Sequence, residues 1–356
     1  MKEYSMNVRQ VCFWCAAMLP AIKLITLPSS FAYYAKDDLI LSAFFNAVIS
    51  LGVLCLVLLT AKRSDKTFLE LVRDKFGKIF TRIFAGIYAL FFFMLSVLFV
   101  LEQKGFTETT FFDIPSTAFG FAPFFLLSFY LCLRDFRSVG RSADVVLPLF
   151  AIGLGLLLSV SVGSGDYLRI LPFGGNDFSE TWKGTVKALA WFADPLWILF
   201  FVGRFRYEEK CARKILISYA AGVTVFLLFL WLFYAVFADI AIRQIYAISR
   251  IGQFSEAIQL IGRVDFFAVC MIAAATLLQA ILPIQLATKC LAYAVRLPVW
   301  ASALIVNISL FGLIFLAGNS FSFVQKFICG DMLWSILLFA FALPACSPLL
   351  TIGKQR

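Results

Sequence analysis

Ten apolar stretches, most of them long enough to cross a bilayer, constrain this chain more than any single residue does. A helix rises about 1.5 Å per residue and needs about 20 apolar residues to traverse the hydrocarbon core. Segments 10–34, 39–60, 79–101, 119–133, 144–162, 184–203, 214–238, 264–288, 297–317 and 332–352 qualify, the fourth being the shortest. Inside a bilayer every backbone N–H and C=O must find an internal partner, so such stretches fold as helices. Composition agrees, with 62% hydrophobic residues, 15% charged and 42 Phe. A soluble domain is nearer 45–50% apolar and about 25% charged. The expected fold class is an all-α polytopic membrane protein, one transmembrane domain over residues 1–356.

The net charge of +10, from 31 Lys and Arg against 21 Asp and Glu, would suggest a polyanionic partner in a soluble protein. Its distribution suggests another cause. With the N-terminus inside, the loops on that side hold 21 of the cations and the opposite loops hold 9, while Lys23 lies within the first apolar segment. Cationic loops are retained in the cytoplasm. Both termini are therefore expected there, and the basic balance needs no nucleic acid. The first apolar run follows a mixed Lys/Glu/Arg stretch and lacks a small-residue cleavage pattern, so it is expected to persist as a spanning helix.

Several chemistries find no support. The chain has no His, which removes the commonest general base, metal ligand and near-neutral switch; proton coupling would fall to carboxylates, Lys or water. Nine Cys are scattered mostly through apolar runs, and Cys12 and Cys15 form a lone C-x-x-C that reads as buried packing. No phosphate-binding, nucleophile-elbow or zinc-protease motif is present, so neither an enzyme nor a cofactor is expected. Two outer connections are long. Residues 163–183 read as an irregular Gly/Pro/Asp loop. Residues 239–263 carry Ile245, Ile248, Ile251, Phe254, Ile258 and Ile261 at helical spacing. They predict an amphipathic helix on the outer surface or over the bundle. Segment 64–78 looks like its cytoplasmic counterpart.

Two apolar segments are interrupted. In the first, Pro20 and Pro28 bracket Ala21, Ile22, Lys23 and Leu24, and proline removes a helical hydrogen bond and clashes with the preceding turn. The sixth contains Trp191-Phe192-Ala193-Asp194-Pro195. These are corresponding members of two five-segment halves, about 8–162 and 184–352. Paired interruptions of this kind point to an inverted-repeat transporter with its site at the midplane. A charge at mid-membrane costs at least about 2.5–3.5 kcal/mol unless it has a partner or a cavity, so a Lys23–Asp194 contact is expected. It reads equally as a structural ion bridge or as a ligand or proton site, and a Lys23 that snorkels to the interface is the third option. Of the other intramembrane polar groups (Asn46, Tyr88, Gln279, Gln285 and Asn307), most should stitch helices together. Gln279 and Gln285, near Pro283, are the best candidates for touching a ligand. The candidate ligand-binding set is Ala21, Ile22, Lys23, Leu24, Phe192, Ala193, Asp194 and Gln279.

Several motifs recur in an order that resembles one family. Ser5 and Arg9-Gln10 precede the first segment and Leu27-Pro28 closes it. Asp65-Lys66-Thr67-Phe68-Leu69-Glu70 is followed by Phe76-Gly77-Lys78. Arg141-Ser142-Ala143-Asp144 opens the fifth segment, Leu168-Arg169-Ile170-Leu171-Pro172-Phe173 precedes the sixth, and Ile261-Gly262-Arg263-Val264-Asp265 opens the eighth. Over nearly its whole length the chain resembles the endospore germination permeases, the B-type subunits of Ger germinant receptors, within the amino acid–polyamine–organocation superfamily. Where that family often carries Thr-Pro after its third helix, this chain reads Asp113-Ile114-Pro115-Ser116-Thr117. The resemblance implies a five-plus-five inverted repeat like the leucine-transporter fold and a spore inner-membrane location. It also implies A-type and C-type partner subunits and recognition of an amino-acid-like germinant. A proton-coupled amino-acid or polyamine transporter, and a structural subunit with a vestigial site, are the other readings.

Overall fold

The computed structural model describes residues 6–111, 121–170, 174–175, 177–254, 264–317, 330 and 332–351. These residues are nearly all helical, and among them the only β contact is an isolated bridge between Met6 and Phe205. Eight helical stretches among the described residues are long and apolar enough to cross a membrane. Large apolar side chains face outward along them, with Ile79, Leu126, Leu316 and Trp334 each at least 74% exposed. Water would penalise that much outward apolar surface, whereas lipid does not. The protein is an integral membrane protein.

In chain order the helices are α1 (Val8–Phe13), α2 (Leu27–Ala35), α3 (Leu39–Arg63), α4 (Phe68–Phe111), α5 (Ala122–Leu133), α6 (Phe136–Ser161), α7 (Phe178–Ala188), α8 (Asp194–Phe201), α9 (Cys211–Phe237), α10 (Val264–Val295) and α11 (Val299–Ala317), followed by a mixed helical stretch, Leu333–Thr351. α10 lies along α4 and α6, α2 packs on α7, and α8 packs on α3. Of the most apolar window in Phe178–Phe201, 89% is buried, against 28% in Leu333–Thr351. The first of these runs through the middle of the bundle and the second lies at its rim.

Several boundaries differ from the sequence reading. The third segment, expected over 79–101, lies in the stretch 68–111, which is two helices broken at Gly77, whose φ of +83° suits a residue without Cβ. The part of α4 before Gly77 is a short helix of its own, within the expected segment 64–78, and the third span follows the break. At the other end Glu102, Gln103, Lys104 and Glu108 continue the helix and are buried, although Lys104 was expected in a solvated outer loop. α5 has 12 residues, about 18 Å of helix, well short of a full crossing. The expected loop 163–183 carries 3-10 turns at Val162–Ser164 and Tyr167–Ile170 and becomes α-helical from Phe178. Within 239–263, Ala238–Arg243 is a 3-10 turn and Ala247–Gln253 an α-helix. Ile248 and Ile251 are buried in it, and the Ala247 N–H donates to the Ile25 carbonyl at 2.8 Å. That segment is a lid folded over the bundle. Ile258, Ile261, the Arg263-Val264-Asp265 side chains, Pro172-Phe173, Ser5 and the 113–117 stretch lie outside what is described.

Candidate ligand site at the paired helix breaks

The prolines set the first break. A π-turn over Trp14–Met18 precedes Pro20 and absorbs its missing hydrogen bond. A 3-10 turn, Ile22–Leu24, follows; Ile25 and Thr26 leave the helix, and Pro28 sits in the first positions of α2, where an absent N–H costs nothing. The freed backbone groups find partners elsewhere. The Ile22 N–H donates to Gln279 Oε1 at 3.2 Å and the Ile25 carbonyl accepts from Ala247. The Thr26 carbonyl keeps its helical bond from the Ser30 N–H at 3.2 Å and also accepts from the hydroxyls of Ser29 at 2.9 Å and Ser30 at 3.2 Å.

The second break follows the same logic. α7 ends at Ala188, a 3-10 turn spans Leu189–Phe192, and α8 begins at Asp194 with Pro195 in its first turn. Asp194 thus sits where a helix N-terminus favours negative charge.

The two breaks meet through the expected pair. Lys23 Nζ lies 2.8 Å and 3.0 Å from the two Asp194 oxygens and donates to the Leu19 carbonyl at 2.8 Å. Both side chains are at most 4% exposed, so Lys23 does not snorkel to an interface. The Phe192 ring lies 5.3 Å from the ammonium, within cation–π range. Tyr219, on α9, donates to Asp194 Oδ2 at 2.9 Å, with Ser50 Oγ 2.8 Å from the same phenol. The space beside the pair, walled also by Cys15, Pro20 and Phe226, is about 10 Å³, room for about one water. The site is closed.

Ala21, Ile22 and Leu24 are all buried at the first break, and Phe192 and Ala193 at the second. Gln279 joins them through Ile22. Gln285 does not: its amide donates to the Leu131 and Arg134 carbonyls at 3.1 and 3.0 Å, terminating α5. Asn46 and Asn307 bond carbonyls one turn back on their own helices, and Tyr88 bonds the Phe339 carbonyl. Among the described residues no three Cys, Asp or Glu side chains gather as a metal site would need.

Sequence reasoning missed Glu102, Trp191, Tyr219 and Ser50. Glu102 is wholly buried and accepts a short hydrogen bond from the Thr26 hydroxyl, so it stands on the first break. Its Oε2 and the Trp191 indole nitrogen lie side by side without a well-formed hydrogen bond to any group. Tyr246 of the lid is close by; burial, with the Glu102 charge adding to it, pushes its hydroxyl up to about 12. Glu102 stands just beyond an apolar run, where the sequence reads equally as a solvated loop. The helical segment over it was expected, but not its contact with this residue.

Two of the quoted motifs also come together. Asp144 Oδ1 accepts from Arg9 at 3.2 Å and Oδ2 from Gln10 at 2.9 Å. Glu70 reaches back to the start of α4, its Oε2 accepting both the N–H and the hydroxyl of Thr67 at 2.8 Å. No individual curated protein matches the chain significantly. The sequence profile of a family described as spore germination proteins, the spore permeases, matches residues 5–326. A helical membrane chain with interrupted first and sixth apolar segments, matched over most of its length by that profile, belongs to the spore germination permease family.

Proposed function

We propose that this protein is the germinant-binding membrane subunit of a germination receptor, and that it takes an amino-acid-like germinant at the paired breaks. Family membership supports a germination-related permease acting as transporter or receptor rather than as an enzyme. The observation that carries the binding reading is the buried Lys23–Asp194 pair, which ties one helix break to the other. A zwitterion carries the same two charges in reverse. Its carboxylate suits Lys23, its ammonium suits Asp194 or Glu102, and replacing the internal pair with the ligand separates two elements that now hold each other shut.

A cavity too small for the ligand fits a two-state element. A ligand shifts such an equilibrium only through its differential affinity for the two states, and here the open state alone has room for it. We read the chain as ten spans in one domain with both termini cytoplasmic, as a five-plus-five repeat in the spore inner membrane. A-type and C-type subunits would receive the shift.

The test is binding and uptake on one sample. The purified chain in proteoliposomes is given labelled amino acids under an imposed pH gradient, alongside an equilibrium binding assay. Binding that is lost in Asp194→Asn, with no uptake, is the expected result. Gradient-driven uptake that Asp194→Asn abolishes would make the protein a transporter in its own right. Equal binding by wild type, Lys23→Ala and Asp194→Asn would remove the site.

A further inference from the structure

A second cavity, separate from the breaks, opens among the residues that the charge distribution puts on the cytoplasmic side. It measures about 270 Å³ and lies between the start of α4, the start of α6, the chain just after α8 and the last turns of α10. Three cations line it, Arg73, Arg204 and Lys289, against one carboxylate, Glu70. Glu70 Oε2 is already engaged by the N–H and hydroxyl of Thr67.

The cations are held rather than splayed. Phe136 is 3% exposed and packs edge-on against Phe201 with centroids 5.9 Å apart. Arg204 Cζ lies 4.9 Å from the Phe136 ring centroid and Lys289 Nζ 3.8 Å from it. One aromatic ring therefore holds two like charges beside the same hollow. The backbone of Arg204 is fixed as well. Its carbonyl accepts from the Met6 N–H at 3.1 Å, and Gly203, at φ +76°, lies so close to the Lys66–Thr67 peptide that a Cβ would come within 2.6 Å of it. Burial holds the Arg204 guanidinium below its usual range, against the opposing pull of Glu70 and Asp135. Among the described residues neither Arg73 nor Lys289 forms an ion pair within 4 Å.

Like charges pressed together and partly removed from water are relieved by an anion between them, and guanidinium is well matched to phosphate oxygens. We propose that this cavity is a binding site for a phosphate group, with Arg204 and Lys289 as its principal contacts and Arg73 at its mouth. The phosphate arrives either on an anionic lipid headgroup or as a soluble phosphate. The site is independent of the germinant reading, because its residues and cavity are separate from those at the breaks.

The test uses the full chain in neutral detergent. Equilibrium binding of radiolabelled inorganic phosphate should be saturable, and its dissociation constant should rise at least tenfold in Lys289→Gln. Lys62→Gln, an exposed cation away from the cavity, should leave it unchanged. In parallel, the chain is taken through delipidation in a mixture of phosphatidylglycerol and phosphatidylcholine. Retention of phosphatidylglycerol that falls in Lys289→Gln assigns the phosphate to a headgroup. Phosphate binding without such retention assigns it to a solute. Because Arg204 also supports the backbone, Arg204→Lys serves as the second variant: it keeps the charge, loses the planar fork, and should weaken phosphate binding severalfold. Equal phosphate binding and equal lipid retention by wild type and Lys289→Gln would overturn the proposal.

Discussion

The side-chain carbonyl of Gln279 takes the place of a missing helical turn, accepting the Ile22 N–H at 3.2 Å inside the bundle. Gln279→Ala leaves that donor buried and unsatisfied, a loss of about 1–3 kcal/mol. Thermal unfolding in detergent should show a lower midpoint for Gln279→Ala than for wild type. Equal midpoints for Gln279→Ala and wild type would show that the Ile22 amide is satisfied in another way.

Removing one partner of a buried ion pair is costlier than removing both, because the survivor keeps an uncompensated charge. Lys23→Ala should cost about 3–5 kcal/mol of stability. The double variant Lys23→Met with Asp194→Leu should recover most of that loss while failing to bind the germinant. Full germinant affinity in a well-folded double variant would reduce the pair to scaffold.

The lid can be tested by a clash. A Cβ on Gly105 would lie 2.1 Å from the Tyr246 hydroxyl oxygen and 3.2 Å from the ring carbon that carries it. Gly105→Ala should therefore act as overpacking, with a cost of about 1–3 kcal/mol. It should also speed hydrogen exchange in 238–253. In a Tyr246→Phe background the clash shrinks to the ring carbon, so the same substitution should do less. Unchanged exchange in Gly105→Ala would mean that the lid does not rest on α4 in the membrane.

Gly203 is the tightest backbone crossing beside the phosphate cavity. Alanine there meets both a positive φ, which costs about 1–2 kcal/mol, and the Lys66–Thr67 peptide at 2.6 Å. A sharp fall in monodisperse yield is expected. Gly52→Ala is the control: a Cβ at Gly52 has nothing within 4 Å, and within α3 it should gain about 0.5–1 kcal/mol. If the two variants unfold alike, the crossing is looser than described.

The breaks were legible because proline acts locally. Pro20, Pro28 and Pro195 each forbid a particular hydrogen bond wherever the rest of the chain goes, and a charge such as Lys23 at mid-membrane demands a partner. Glu102 was not legible, since hydropathy falls at Glu102-Gln103-Lys104 and a solvated loop reads the same way. The first break and the segment near Tyr246 together make those residues interior, and that is a tertiary fact. Gln285 shows the converse. Its polarity inside an apolar run was plain, but its role depends on where the last carbonyls of α5 fall in space. The Arg204–Phe136–Lys289 arrangement joins three distant parts of the chain, and no spacing in the sequence signals it.

The tie between Ala247 and Ile25 is main chain to main chain, so it does not depend on which side chains flank it. Side chains that fit the buried position 247 leave the bond in place, whereas proline there removes the N–H. How firmly the outer segment sits can therefore change without altering Lys23, Asp194 or Glu102.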